Sequence, residues 1–440
     1  MYIKCWYINT CRRGKVVVIK CYGPLVFDQI EGNPKMKFSA LSLVALLSFP
    51  LGHCASRSFS TYNPNPTEVA KNAASANTTQ FSSDVRGRTI DRFIVIWLEN
   101  TDYDKAAGHP DMKWLAERGI TLDNYWALTH PSQPNYVASV SGDYFALDHD
   151  GYVVVPKNVS TVVELLESKG ISWGEYLEDM PYSGYQGFEY LNQKTHANDY
   201  VRKHNPLISY ESVFLNDTRL SLIKNFSQFE RDLKDHKLPQ YFHVTPNMTN
   251  DGHDSSIKTA AHWARSWLTP LLKNKYFMEN TLVVLTFDEN EIYSTQNQVF
   301  TLLLGGAIPD HLKGTKDHTF YDHYSLLSSV EANWNLDSLG RNDVDANVLE
   351  TIANKTNITN KFVDTTYKVN NHTYNGYFLD DSIALPAPNV TAINRNGKPV
   401  LPKIRDTWKN VFSSQLSQSY FTPTTTTVSA KLTDLATVAS

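Results

Sequence analysis

The chain has 440 residues, with 41 Lys+Arg against 45 Asp+Glu and a formal net charge of −4. Hydrophobic residues make up 41% and charged residues 20%, which suffices for a packed core and excludes wholesale disorder. No basic excess points to nucleic acid or an anionic membrane as a partner, and no unbroken apolar stretch approaches the roughly 18 residues of a spanning helix.

Met36 opens the segment MKFSALSLVALLSFPLGHCAS. Lys37 supplies a positive start, Ala40 to Leu51 form an apolar stretch, and Gly52, Cys54, Ala55 and Ser56 offer small residues for cleavage. Residues 36–55 therefore read as a secretory signal peptide. Residues 1–35 resemble no targeting segment and read as an upstream extension foreign to the native protein. The four cysteines, at 5, 11, 21 and 54, all lie in this removable region. The remaining chain would have neither a disulfide, nor a cysteine nucleophile, nor a thiolate metal site. Glycan acceptor triplets at Asn77, Asn158, Asn216, Asn225, Asn247, Asn354, Asn357, Asn371 and Asn389 suit an extracellular glycoprotein.

Residues 56–90 are polar, with NPNP and NTT, and read as an extended lead-in to a catalytic domain over 91–410. FIVIWLEN (93–100) is a continuous apolar run ending on a carboxylate and an amide. Such runs mark strands buried on both faces of a parallel sheet. ISWGEYLE (171–178), PQYFHVTP (239–246), TLVVLTFDEN (281–290) and VFTLLLGG (299–306) repeat the pattern. Helical patterns lie between them: HPDMKWLAERG (109–119), TVVELLESKG (161–170) with a Thr cap and a Gly stop, KTAAHWARSWLTPLLKN (258–274) and HYSLLSSVEANWNL (323–336). The alternation predicts an α/β fold, a doubly wound and mainly parallel sheet with helices on both faces. Beyond about residue 350 the pattern fades, and residues 411–440 form a Ser/Thr-rich tail.

Ligands of open α/β sheets bind beyond the carboxyl ends of the strands. Two strands end there in oxygen-rich pairs, Glu99-Asn100 and Asp288-Glu289, which suit a hard divalent cation. Between them THPSQPNYVASVSGD (129–143) sets Ser132 in a Pro-flanked turn before a small-residue helix. The helix N-terminus favours a phosphate. A serine hydroxyl is a weak nucleophile unless a base or a metal activates it, and no Gly-x-Ser-x-Gly elbow surrounds Ser132. Read alone, Ser132 is a helix cap and Asp288-Glu289 an acidic turn; together they point to a catalytic centre. His130, His149, His243 and His262 read as structural or supporting residues.

The motifs ENTDYDKA (99–106), THPSQPNYVAS (129–139), TPNMTNDGHD (245–254) and FDEN (287–290) resemble the phosphoesterase family of secreted fungal acid phosphatases and bacterial phospholipases C, within the alkaline-phosphatase-like superfamily. The resemblance covers about residues 90–340. It implies that Glu99, Asn100, Asp288 and Glu289 hold a metal with Ser132 as the nucleophile bound to it. Asn135 would donate to a phosphate oxygen, and His253 would protonate the leaving group. His318 and His323 fall where two-metal relatives carry a late histidine. Asn247 stands in place of a metal carboxylate, and Glu289 in place of a histidine, so one ion is expected, Ca²⁺, Mg²⁺ or Zn²⁺. Asn247 would thereby lie beside the substrate and stay free of glycan. Small phosphate monoesters are the implied substrates. A phosphodiesterase or phospholipase C on the same site, or a non-catalytic secreted glycoprotein, are the alternatives. The PSQPNY turn lacks the Arg of a sulfatase motif.

Overall fold

The computed structural model describes residues 63–366, 368–370 and 385–411, together with the backbone of two short strands near the amino end. Those strands, Lys4–Trp6 and Lys20–Tyr22, pair antiparallel within a unit spanning Met1–Arg57; Ser58–Ser440 form the second unit. The signal peptide, the Ser/Thr tail beyond 411 and the sequon at Asn371 lie outside the described residues. Among the described residues no helix is long and apolar enough to cross a membrane.

The second unit is built on one eight-stranded sheet. In chain order its strands are β1 Arg92–Leu98, β2 Ile120–Leu122, β3 Trp173–Leu177, β4 Ile223–Asn225, β5 Tyr241–Thr245, β6 Thr281–Phe287, β7 Thr301–Leu304 and β8 Thr315–Asp317. They lie in the order β8-β2-β7-β6-β1-β5-β3-β4. Every neighbouring pair is parallel except the two that β7 makes, with β6 and with β2. The mainly parallel α/β fold expected from the sequence is therefore present. All five apolar runs became strands, and β6 is buried along its whole length, as a central strand covered on both faces must be.

The predicted helices form at Pro110–Ala116, Val162–Glu167, Ile257–Leu271 and Tyr324–Trp334. Thr161 caps the second of these in a reciprocal capping box with Glu164, which satisfies backbone donors at both ends of the motif. The lead-in differs from its reading as extended. Pro66–Ser75 is a helix, because Asn65 caps the Glu68 N–H and Pro66 presets the first turn. Strands β2, β4 and β8 are three residues each, too short for any periodic signal.

Register positions the chemistry. Along the β1–β6 pair Trp97 faces Thr286 and Leu98 faces Phe287, so the next residues, Glu99 and Asp288, leave the sheet side by side. The Asp288 N–H donates to the Leu98 carbonyl at 3.1 Å and extends that alignment past the strand ends. On the other flank β5 runs parallel to β1 and delivers residues 247–254 to the same end of the sheet.

Candidate active site

Asn135 braces the Ser132 turn at four backbone groups, and Asn297 Nδ2 adds a bond to the Thr129 carbonyl at 3.2 Å. Asn135 Oδ1 accepts the N–H groups of Leu128 and Thr129 at 2.9 and 3.4 Å, and its Nδ2 donates to the carbonyls of Thr129 and Pro131 at 2.9 and 3.2 Å. Ser132 then opens α1, Ser132–Ser141, a helix buried at every residue and stopped at Gly142 in the left-handed region, φ +76. From this first turn Ser132 Oγ lies 3.3 Å from Glu99 Oε2 and 3.1 Å from Glu289 Oε1. Three separate segments thus meet at one hydroxyl.

A fourth segment closes the site. The Glu99 N–H donates to the Asp251 carbonyl at 3.0 Å, tying the loop after β5 to the end of β1. Gly252 makes that approach possible: it adopts φ +109, and a Cβ there would stand 3.2 Å from Ala260 Cβ. The loop carries Asp251, fully buried, and His253, whose Nδ1 lies 2.7 Å from Asp254 Oδ1. The turn Arg202–His204 adds two more groups. His204 Nε2 is 3.3 Å from Glu99 Oε1 and its Nδ1 is 3.5 Å from Asp251 Oδ2. Lys203 Nζ lies 2.9 Å from Asp150 Oδ2 and 3.3 Å from His253 Nε2. Tyr136 donates to Glu99 Oε1, and His130 Nδ1 pairs with Glu289 Oε2.

Glu99, Asp251, Asp288 and Glu289 are all buried. Burial pushes each carboxyl well above its usual range; Glu99 is raised further by Asp288 and Asp251, and Asp288 by Glu289. Burial pulls His130 down to about 4. It pulls His204 well below the ordinary value, with Lys203 and His253 adding to the effect. The free protein therefore concentrates acids that resist ionising beside imidazoles that resist protonation, and no buried cation neutralises the whole set.

A divalent ion fits this environment. Asn100 Oδ1 and Asp288 Oδ2 are buried and have no hydrogen-bond partner, and His204 Nε2 and Asp251 Oδ2 have only the ion-pair contacts with Glu99 and His204 given above. Buried polar atoms are normally paired, so orphans gathered around Ser132 are unused ligand capacity. Glu99, His204 and His253 also present one donor atom each within 4.8 Å of one another. The donor set mixes oxygen with imidazole nitrogen, where the sequence pointed to oxygen alone, and such a set also suits ions of intermediate softness.

The expected site residues divide. Ser132, Glu99, Asp288 and Glu289 converge, Asn100 lies beside them with its N–H 3.4 Å from Asp288 Oδ1, and His253 faces Lys203 across the loop. Four expectations are corrected. Asn135 spends both amide hydrogens on backbone carbonyls, so it braces the turn instead of offering a donor to phosphate. Asn247 caps its own loop through Thr249 and Asn250 and donates to Asp179 Oδ2 at 2.6 Å, while Asp251 supplies the buried carboxylate of that loop. His318 pairs with Asp123 at 2.7 Å on the surface, its side chain 78% exposed. His323 is buried behind the site, its Nε2 2.7 Å from the Asp288 carbonyl and its Nδ1 3.3 Å from Tyr125 Oη, out of reach as a substrate contact. His243 is a core histidine, bonded to Trp97 and Tyr241.

Comparison with known families matches residues 110–337 to the phosphoesterase family. A probable acid phosphatase of Kluyveromyces lactis is 58% identical over 409 residues, 91% of this chain and 97% of that protein. The chain belongs to the phosphoesterase family. It is a hydrolase of phosphoric esters. This phosphoesterase is also 53% identical over 341 residues to an acid phosphatase of Aspergillus fumigatus, covering 78% of its own length and 75% of the relative. A solved protein of the alkaline phosphatase superfamily from Vibrio parahaemolyticus aligns at TM-score 0.37 and 10% identity over 61% of the phosphoesterase and 75% of that chain. Asp251, Lys203, His204, Asp150 and Tyr136 escaped the sequence reading. Asp251 stood inside the NDGHD motif and could have been found there; the Lys203-His204 pair lies in a segment without motif or periodicity.

Proposed function

We propose that this phosphoesterase is a secreted, metal-dependent acid phosphatase that hydrolyses phosphate monoesters through a phosphoserine on Ser132. The observation that carries the reading is the Ser132 hydroxyl at a helix N-terminus, 3.3 Å from the Glu99 carboxylate and 3.1 Å from that of Glu289. The acid phosphatase relatives support the same substrate class.

Glu99, Asp288, Glu289 and Ser132, with Asn100 and His204 adjacent, would hold the ion. When bound, a divalent cation lowers the pKa of a coordinated hydroxyl and neutralises charge on phosphoryl oxygens. The chain's own groups do the rest. The Ser132 hydroxyl lies within hydrogen-bond reach of Glu289 Oε1 and Glu99 Oε2, and one of these carboxylates would receive its proton as Oγ attacks phosphorus. The Oγ–P bond forms as the bond from phosphorus to the alcohol oxygen breaks. Asp254 pairs with Nδ1 of His253 and leaves Nε2 turned toward the site, 3.3 Å from Lys203 Nζ, where His253 would hand a proton to the departing oxygen. Water then cleaves the phosphoserine, releasing inorganic phosphate and restoring the hydroxyl. Positioning and charge neutralisation dominate such transfers.

Ser132→Ala tests the reading. Turnover of p-nitrophenyl phosphate should fall at least about 10³-fold, and acid-quenched wild-type protein should carry phosphate on the Ser132 peptide. Activity within about tenfold of wild type rejects the nucleophile. Secretion is carried by the signal-like segment 36–55 and by exposed sequons at Asn77, Asn158, Asn216, Asn354, Asn357 and Asn389. Amino-terminal sequencing of material from the medium should begin after Leu51; a start before Met36 overturns it.

A further inference from the structure

The first N–H groups of a helix lack partners in their own chain of turns, and an anion suits that end. In α1 a side chain supplies the anion. Asp150 Oδ1 accepts the Gln133 N–H at 3.0 Å, one residue from the nucleophile, and Asp150 Oδ2 accepts from Lys203 Nζ at 2.9 Å. A carboxylate bridging a helix N-terminus and an ammonium has the charge and the partners of two phosphate oxygens. Lys203 is built into the site: its side chain is 14% exposed and its Nζ also meets His253 Nε2 at 3.3 Å. Asp150 is 29% exposed, so its carboxylate can rotate into water once displaced.

We propose that Asp150 is an internal stand-in for the substrate phosphate, holding Lys203 and the Gln133 N–H in register, and that these two donors select the doubly charged phosphate of a monoester. The oxygen they bind carries the second charge in a monoester and is the second ester link in a diester. A diester therefore leaves the ammonium facing an alkylated, weakly accepting oxygen, while a monoester takes over both of Asp150's partners. Lys203 is then the substrate-selecting residue and Asp150 a positioning residue that competes with substrate. The inference rests on the proposed Ser132 site.

The test measures binding of inorganic phosphate by calorimetry to metal-loaded Ser132→Ala protein, and kcat/KM on p-nitrophenyl phosphate and bis(p-nitrophenyl) phosphate in the Ser132 background. Asp150→Asn should tighten phosphate binding about tenfold and lower the KM for the monoester, because the competing charge is gone. Lys203→Gln should weaken phosphate binding about 30-fold and cut the monoester-to-diester ratio of kcat/KM by about the same factor. Lys203→Arg should restore most of that ratio. Phosphate binding that weakens or stays unchanged in Asp150→Asn overturns the proposal, as does an equal loss on both esters in Lys203→Gln. Should Lys203→Gln fail to fold, the Asp150→Asn measurement decides by itself. Ser132→Ala protein that stays active, with these phosphate shifts intact, would reject the nucleophile while supporting the phosphate subsite.

Discussion

Removing the divalent ion tests the centre of the argument. Four buried carboxyls gather at this end of the sheet, and burial holds each pKa above its unfolded value, with Asp288 and Asp251 adding for Glu99, Glu289 for Asp288, Asp288 for Asp251 and Asp150 for Glu289. A carboxyl raised in this way contributes stability that is complete below the unfolded pKa, about pH 4, and drains away as pH climbs toward the raised folded value. These carboxyls should thus cost metal-free protein stability from about pH 4 upward, against an opposite slope from buried His130, His204, His243 and His323, whose depressed pKa values add stability as pH rises toward the unfolded imidazole value near 6.5. Glu175, pushed up to about 8, and Asp322, pushed up to about 7, add the same slope to the metal-free and metal-loaded forms. The site's own part is therefore the difference between the two forms. An ion present at roughly a thousand times its dissociation constant stabilises by about 4 kcal/mol. Unfolding entropy near 2.1 cal/mol/K per residue, over a folded unit of roughly 350 residues, gives about 0.7 kcal/mol/K, so stripping should lower Tm by about 5–6 °C. Differential scanning calorimetry before and after passage over chelating resin, at about pH 4.5 and about pH 7.5, with elemental analysis of both samples, reads this directly. The drop should be larger at the higher pH and reverse when metal is returned. A Tm that moves by less than about 1 °C on stripping, or a drop no larger at the higher pH than at the lower, refutes the convergence of these carboxylates on an ion.

Asn135→Ala should act as a fault in the turn. It removes partners of two backbone N–H groups and the Pro131 carbonyl, the Thr129 carbonyl keeping Asn297 Nδ2 at 3.2 Å, and at roughly 1–3 kcal/mol per buried group left unpaired this lowers Tm by several degrees and takes kcat with it. An unchanged melt with only KM raised would return Asn135 to direct phosphate contact. His323→Phe should cost about 1–3 kcal/mol, by leaving the buried Asp288 carbonyl without its donor, and should lower kcat more than it raises KM. Recovery by His323→Gln is expected, and a loss confined to KM would instead mark a substrate contact. Peptide mapping of secreted protein should find glycan at exposed Asn158 and Asn216 and none at Asn247, whose amide is donated to Asp179.

The sequence by itself determined the class of sheet, because strands covered on both faces must be almost continuously apolar, as 93–98 is at every position and 281–287 is apart from Thr281 and Thr286. It also pointed to Glu99, Asp288 and Glu289, because charged residues directly after such runs have nowhere to go but the rim of the sheet, and to Ser132, because it opens a helix after a Pro-flanked turn. The helix start at Thr161 followed from capping chemistry written in neighbouring residues, while the helix itself ends at Glu167, short of the Gly170 stop. What only the tertiary structure decided is partnership across distance. Asn135, Asn247, His318 and His323 all sit within or beside telling motifs, yet their hydrogen bonds run to backbone, to Asp179, to Asp123 and to the back of Asp288. Asp150 and Lys203 carry no motif, and acquire meaning only because the chain returns 53 residues later to bring one carboxylate between a lysine and the N-terminus of the nucleophile helix. A local pattern reports which face a side chain occupies; which group it meets there is set by the packing of segments far apart in the chain.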